Sequence, residues 1–130
     1  MVRLDHVAIW TEDIEHLASF YCVYFHAKVG DRYVNPDKGF ESRFVTFEDG
    51  TRLELMRTTA IRPVRHKPGA QRMGLTHLAL SLGSVEQVDQ LTNRLRAEGY
   101  PVVDEPRRTG DGYYESVVLD PDGNRVEITA

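Results

Sequence analysis

The chain has 130 residues, of which 41% are hydrophobic, and this length fits one globular domain or two small modules that share a core. Its 20 acidic residues outnumber its 16 basic residues, and no apolar run approaches the ~18 residues of a membrane helix, so we expect neither a nucleic-acid partner nor a membrane partner. The single cysteine cannot form an internal disulfide, and no charged-then-apolar leader precedes the first strand, which favours a cytoplasmic protein.

The first half of the chain predicts one strand, one helix and three further strands. The stretch LDHVAI (4–9) alternates as a half-buried strand does. Residues 11–25 predict an amphipathic helix with Thr11 as its N-cap, because apolar side chains recur there at spacings of three and four. The buried stripe of this helix is expected to be Ile14, Leu17, Tyr21 and Tyr24. The further strands are predicted at 27–34, 43–48 and 51–57.

The second half predicts the same order of elements. It opens with the strand LTHLAL (75–80), and a helix follows over 84–99, with Ser84 in a capping box and Gly99 at its end. The buried stripe of this helix is expected to be Val88, Leu91 and Leu95. Three strands are predicted at 101–104, 113–119 and 124–129. Each half therefore predicts a βαβββ module, with module one at 1–60, a linker at 61–74 and module two at 75–130.

Two short motifs occur in both halves. LDHVAI (4–9) matches LTHLAL (75–80), and GTRLEL (50–55) matches GNRVEI (123–128), in the same order and at nearly the same displacement. Such recurrence indicates an internal repeat. The sequence therefore predicts an α+β fold, in which two βαβββ modules form a curved mixed sheet with the helices on its convex side.

Strand alternation predicts where the unusual polar residues point. His6 and His77 lie opposite the apolar face of their strands, and Glu54 and Glu127 do the same in theirs. If the two sheets pair into one curved surface, these four side chains converge within its concavity. Imidazole and carboxylate are ligands for zinc, nickel, cobalt, manganese and ferrous iron, so we predict one bound divalent metal ion. The alternative is a decayed repeat whose pattern serves folding alone.

The chain resembles the vicinal oxygen chelate superfamily, and within it the glyoxalase I branch, also called lactoylglutathione lyases. The motifs that carry the resemblance are LDHVAIWTEDIEHLASFY, GTRLELM, GLTHLALSL and VVLDPDGNRVEI. It implies the isomerisation of a hemithioacetal, formed from a 2-oxoaldehyde and a thiol, into a 2-hydroxyacyl thioester. It also implies a homodimer in which His6, Glu54, His77 and Glu127 are the metal ligands, with Glu127 as the catalytic base and Glu54 as its counterpart.

The sequence departs from the glutathione-dependent members of that branch. Those enzymes commonly carry an Arg four residues after the first His and an Asn four residues after the first Glu, and here Trp10 and Thr58 stand at these places. The sequence therefore does not decide which thiol is the cosubstrate. Trp10 shares a strand face with His6, and we expect it to line the substrate pocket. The alternatives are a non-catalytic module that sequesters a small hydrophobic molecule, and an acyl-CoA epimerase, which usually has Gln in the place of Glu54.

Overall fold

The computed structural model describes residues 1–130, which divide into two compact units, Met1–Arg65 (unit 1) and His66–Ala130 (unit 2). Each unit contains one α-helix and one mixed sheet, so the predicted α+β class is confirmed. In each unit the helix packs against one face of the sheet and leaves the other face to the polar residues singled out above. No helix is long and apolar enough to cross a membrane.

Unit 1 contains five strands, one α-helix and a short 3-10 helix. The elements are β1 (His6–Trp10), α1 (Ile14–Phe25), β2 (Lys28–Val29), β3 (Tyr33–Asn35), the 3-10 helix Pro36–Lys38, β4 (Phe40–Thr46) and β5 (Arg52–Thr58). Strand β5 pairs in parallel with β1 and antiparallel with β4, and β2 and β3 both pair antiparallel with β4.

The single strand predicted at 27–34 is wrong, because two short strands replace it. The Gly30 N–H still donates to the Phe44 carbonyl of β4 at 2.8 Å, but the Gly30 carbonyl accepts a hydrogen bond from the Arg43 guanidinium at 3.0 Å. A side chain that takes up a ladder carbonyl prevents the next cross-strand backbone bond. Pairing resumes only at Tyr33, which lies opposite Ser42.

Helix α1 begins at Ile14, two residues later than an N-cap at Thr11 predicts, and Thr11 is not its N-cap. The Thr11 backbone N–H donates to the carbonyl of Met56 at 2.8 Å, which holds residue 11 at the end of the β1–β5 ladder. Asp13 caps the helix instead, since its side chain accepts a hydrogen bond from the His16 backbone N–H. The predicted stripe of α1 is confirmed, because all four of its side chains are buried.

Unit 2 contains one α-helix and four strands. The elements are β6 (His77–Ser81), α2 (Val85–Ala97), β7 (Val102–Arg108), β8 (Tyr114–Leu119) and β9 (Arg125–Thr129). Strand β9 pairs in parallel with β6 and antiparallel with β8, and β7 pairs antiparallel with β8. The predicted order β-α-β-β-β is therefore confirmed in this unit.

Helix α2 has the predicted ends but a different buried stripe. Ser84 caps it by accepting a hydrogen bond from the Gln87 backbone N–H, and Gly99 follows its end with a φ of +93°. Leu91 keeps part of its surface exposed, contrary to the prediction, whereas Thr92 is fully buried. The Thr92 hydroxyl lies 2.7 Å from the hydroxyl of Ser116, and this hydrogen bond makes a polar residue acceptable under the helix.

The predicted repeat is present in the register of the strands. In unit 1, His6 lies opposite Arg52 and Ala8 lies opposite Glu54. In unit 2, the partners of Arg125 and Glu127 are the matching His and Ala of β6. A slip of one residue would turn each strand over, so the same face is presented in both units.

Part of the predicted linker packs on the closing hairpin of unit 2. The Gly69 N–H donates to the carbonyl of Gly123 at 3.1 Å, and the Arg125 side chain donates to the carbonyl of Gly69 at 3.1 Å. Gly123 has a φ of +83°, and Gly50 has a φ of +90° in the matching hairpin of unit 1, a conformation that favours glycine.

Candidate functional site

Unit 1 brings together His6 and Glu54 on the sheet face that α1 leaves free. Parallel pairing places Ala8 opposite Glu54, so the His6 ring is a diagonal neighbour of the Glu54 carboxylate. The distance from His6 Nε2 to Glu54 Oε1 is 3.5 Å. The two side chains are 35% and 19% exposed, so both remain accessible to a ligand.

A carboxylate that sequence reasoning missed orients the His6 ring. Asp5 Oδ2 lies 2.7 Å from His6 Nδ1 and also 2.6 Å from an Arg52 nitrogen. The hydrogen bonds from His6 and Arg52 lower the pKa of Asp5, so this group is a carboxylate at neutral pH. A proton on His6 Nδ1 leaves the lone pair on Nε2, which faces Glu54. The sequence signal that could have indicated this contact is the acidic residue directly before the histidine of the strand.

Aromatic packing fixes the other side of the His6 ring. The ring of Phe44 meets it edge to face, with centroids 5.3 Å apart. The Arg52 guanidinium lies 4.2 Å above the centroid of the same Phe44 ring. These contacts restrict the rotamers of His6 and Arg52. A side chain with restricted rotamers loses less conformational entropy when it binds a ligand.

Unit 2 repeats the His–Glu pair. His77 Nε2 lies 3.1 Å from Glu127 Oε2, and the side chains are 33% and 19% exposed. Thr76 stands where unit 1 has Asp5, so this imidazole has no carboxylate partner on its other nitrogen. The two units therefore present the same pair of groups with different surroundings.

Glu115 is a second acidic residue beside Glu127, and sequence reasoning missed it. It lies on β8, only 8% exposed, on the same face as Glu127. Burial raises the pKa of Glu115, and a hydrogen bond with the Glu127 carboxyl raises it further. Pairing the two predicted strands residue by residue outward from the Gly123 turn would have placed Glu115 beside Glu127.

Trp10 lies at the end of β1 on the same face as His6 and is 48% exposed. Its ring meets Phe40 edge to face at 6.0 Å, and Phe40 in turn lies 6.1 Å from Tyr33. Trp10 is thus a partly open surface aromatic and not a core residue. Thr58, which stands where glutathione-dependent enzymes commonly have Asn, lies opposite Phe40 in the ladder of β4 and β5.

The donor types of the four predicted ligands suit a divalent metal ion. Each unit supplies one imidazole and one carboxylate in contact. No group of three or more His, Cys, Asp or Glu side chains is arranged to hold a metal ion in the structure. The structure thus brings the four residues together as two pairs, and a metal site built from both pairs remains a prediction.

A family model matches nearly the whole chain. The Glyoxalase/Bleomycin resistance protein/Dioxygenase superfamily model covers residues 3–128. The chain belongs to this superfamily. The predicted resemblance to the vicinal oxygen chelate proteins, of which this superfamily description is another form, is confirmed.

Relatives of this superfamily member include one curated protein. The uncharacterized protein YqjT of Bacillus subtilis (strain 168) is 45% identical over 62 residues, which are 45% of this chain and 48% of YqjT. The match therefore spans about half the length of that relative.

Solved structures of the superfamily share the fold. A glyoxylase/bleomycin resistance protein/dioxygenase domain from Frankia sp. EAN1pec has a TM-score of 0.81 at 18% identity and covers 99% of this chain and 97% of that chain. The trypanothione-dependent glyoxalase I of Leishmania major has a TM-score of 0.77 at 22% identity and covers 99% of this chain and 86% of that chain. At these identities the likeness concerns the fold.

Proposed function

We propose that this superfamily member is a metal-dependent enzyme of the glyoxalase I type. It would isomerise the hemithioacetal of a 2-oxoaldehyde and a thiol into a 2-hydroxyacyl thioester. One observation carries the proposal. A His–Glu pair recurs at the same strand register in both units, where His6 and His77 each contact the glutamate of their own unit.

The four side chains His6, Glu54, His77 and Glu127 would hold one divalent metal ion, which could be zinc, nickel, cobalt or manganese. When bound, such an ion supplies Lewis-acid stabilisation of the negative charge that develops on the substrate oxygens. The imidazole of His6 is already oriented for this role, because Asp5 and Phe44 hold it from two sides.

Glu127 would act as the base. Its carboxylate would take the proton from the carbon that bears the sulfur and return it to the neighbouring carbon, while the hydroxyl proton of the hemithioacetal moves to the oxygen of that neighbour. Atoms and electrons balance, since the product is an isomer of the substrate. Glu54 would be the counterpart of Glu127 in unit 1, and both histidines would serve as fixed anchors.

Trp10 would line the substrate pocket, and the thiol need not be glutathione. The trypanothione-dependent enzyme of Leishmania major is a precedent for another thiol within this fold. Trp10 and Thr58 replace the Arg and Asn expected for a glutathione carboxylate, and neither offers the charge that a guanidinium would. We further propose that the enzyme works as a cytoplasmic homodimer.

The test is elemental analysis of protein purified without chelators, followed by reconstitution with nickel, zinc and manganese. Each form is then assayed with methylglyoxal and, in turn, glutathione, trypanothione and cysteine. Turnover of one hemithioacetal by a metal-loaded form supports the proposal. Absence of both bound metal and turnover with all of these thiols contradicts it.

A second candidate is a non-catalytic module that binds a small hydrophobic molecule. The open aromatic cluster of Trp10, Phe40 and Tyr33 favours it, because exposed aromatic surface is suited to an apolar ligand. This candidate predicts binding that is indifferent to metal and to replacement of both His6 and His77. An acyl-CoA epimerase, the third reading of the sequence, would exchange deuterium at the α-carbon of an acyl-CoA.

A further inference from the structure

The aromatic cluster shares one sheet face with the His–Glu pair of unit 1. Trp10 lies four residues beyond His6 on β1. Thr58 lies four residues beyond Glu54 on the parallel strand β5, and its antiparallel partner on β4 is Phe40. Residues four apart in a strand project from the same face, and at about 3.3 Å per residue their Cα atoms are about 13 Å apart. The His–Glu pair and the aromatic cluster therefore lie at the two ends of one face.

The side chains between the two ends leave a path for an extended ligand. Ala8 is the residue of β1 on this face between His6 and Trp10, and it is exposed. Ser42 has the corresponding place on β4 and is buried, with Met56 opposite it on β5. Alanine and serine are too short to divide the face, and methionine is flexible enough to adapt to a ligand. One molecule can therefore contact both ends.

The fold does not account for the aromatic cluster. Trp10 and Tyr33 are 48% and 55% exposed, and both meet Phe40 by edge-to-face or tilted contacts that leave ring surface open. Such rings contribute little to the free energy of folding, because they bury little apolar area. In unit 2, Ser81 stands four residues beyond His77, so the repeat does not require an aromatic residue at this place. The open rings are thus available to a ligand.

The strand positions at the aromatic end of the face carry no charge. On β5 this end is formed by Met56 and Thr58, and Arg57 between them projects from the opposite face. Arg57 and Arg32 both form ion pairs with Glu41, and these three residues line a groove beside the first turn of α1. A ligand carboxylate at the aromatic end would therefore lose hydration without gaining a cation from these strands. An uncharged group suits this end.

The separation of the two ends decides which part of the substrate reaches the aromatic cluster. A phenyl ring on the aldehyde is bonded directly to the reacting carbons, and with bonds of about 1.5 Å it extends only about 6 Å from them. The two ends are about 13 Å apart along the strands. The substituent of the thiol begins beyond the sulfur and can be longer. The thiol, rather than the aldehyde, therefore supplies the group that reaches the cluster.

We propose that the cosubstrate is a thiol with an uncharged aromatic tail, and that Trp10, Phe40 and Tyr33 bind this tail. The tail packs on the open rings in offset or edge-to-face contacts, as pairs of aromatic groups prefer. This inference rests on the proposed function, because it takes the His6–Glu54 end of the face as the place of the metal ion and the reacting carbons.

The first test compares three thiols with the same aldehyde and the same metal-loaded chain. The hemithioacetals of methylglyoxal are formed with 3-phenylpropane-1-thiol, 2-mercaptoethanol and glutathione, which carry an aromatic tail, no tail and an anionic tail. The KM for the aromatic thiol is expected to be about 10-fold lower than for either of the others, with similar kcat.

Two variants of Trp10 test where this preference arises. Trp10→Ala is expected to raise KM about 2- to 10-fold with 3-phenylpropane-1-thiol, and to raise it less with 2-mercaptoethanol. Trp10→Arg places a cation at the aromatic end and is expected to lower KM for glutathione while raising it for the aromatic thiol. A thermal melt checks that both variants fold.

A second readout needs no turnover. Trp10 is the only tryptophan of the chain, so its fluorescence reports binding at the aromatic cluster. The lactate thioester of 3-phenylpropane-1-thiol is expected to change this fluorescence saturably, with Kd raised about 2- to 10-fold in Tyr33→Ala. Val34→Ala is the matched control, because Val34 is exposed on the opposite face of the same strand. It is expected to leave Kd unchanged.

Equal KM values for the three thiols, or a fluorescence that does not respond to the thioester, would overturn this inference and leave the proposed function standing. Fluorescence that changes with protein concentration instead of with the thioester would also overturn it, since a second copy of the chain would then cover the cluster. A wild-type chain that neither binds metal nor turns over any of these hemithioacetals would overturn the proposed function, and this inference with it.

Discussion

Asp5 Oδ2 lies 2.7 Å from His6 Nδ1, on the ring nitrogen that does not face Glu54. This contact directs the free lone pair of the imidazole toward the proposed metal position. It gives unit 1 a better prepared ligand than unit 2, where Thr76 stands at the matching place. The relationship can be tested independently of any substrate.

Replacing Asp5 with Ala is expected to lower metal affinity about 10-fold, because the His6 ring then loses the hydrogen bond that orients it. Calorimetric titration with nickel measures the change. Arg52→Gln is the matched control, since it removes the other partner of Asp5 and keeps the contact with His6. Equal losses in both variants would indicate a general effect of the surface charge and contradict the orienting role.

Replacing Glu127 with Gln is expected to retain the fold and much of the bound metal, and to lower kcat by roughly 10²- to 10⁴-fold, because an amide cannot accept the substrate proton. Solvent deuterium incorporation at the product carbon reports the same step. Glu105→Gln serves as the control, as this side chain is 67% exposed in the same unit and bonds to Arg96. Retained turnover in Glu127→Gln would end its assignment as the base.

In metal-free protein, the contribution of Glu115 to stability is expected to fall as the pH rises above about 4.5, the ordinary pKa of this group. The pKa of Glu115 is raised in the folded state, first by burial and then by its hydrogen bond with Glu127. Between the unfolded and the folded pKa, the folded state binds more protons than the unfolded state, so deprotonation weakens folding.

The Glu115→Gln variant tests the direction of this pH dependence, because glutamine has no carboxyl proton to lose. Its free energy of unfolding should fall less than that of the wild-type chain as the pH rises from 4 to 8, as urea titrations of both proteins would measure. A parallel fall in the two proteins would assign the pH dependence to other groups.

Replacing Trp10 with Ala is expected to raise KM about 2- to 10-fold with little change in kcat, since the ring would contact the substrate and not the reacting atoms. Because Trp10 is 48% exposed, the free energy of unfolding should fall by no more than about 1 kcal/mol. Tyr113→Ala, which removes another exposed aromatic side chain, is the control and should leave KM unchanged. An unchanged KM in Trp10→Ala would remove this residue from the pocket.

The strands of both sheets could be predicted because strand alternation is a local pattern and because the same motifs occur in both halves of the chain. Strand alternation and the recurrence of LDHVAI as LTHLAL predicted the faces of His6 and His77, and the same pattern predicted those of Glu54 and Glu127. A slip of one residue in any of these strands would have moved the polar side chain of that strand to the helix side.

The helix start and the acidic neighbours depend on contacts distant in sequence. Thr11 and Asp13 are both good caps, and the choice is made by the bond from the Thr11 N–H to Met56, 45 residues downstream (56 − 11). Glu115 reads as an ordinary strand residue until the hairpin places it beside Glu127. The role of Asp5 likewise depends on the ring orientation of His6, which alternation alone does not give.

The proposed metal site is tested by measuring metal content and metal affinity in the wild-type chain and in four variants: His6→Ala, Glu54→Gln, His77→Ala and Glu127→Gln. We expect one divalent ion per chain, and a loss of affinity in variants of both units, because each unit is proposed to supply two ligands. No bound ion, or an affinity that depends on the residues of one unit alone, would contradict it.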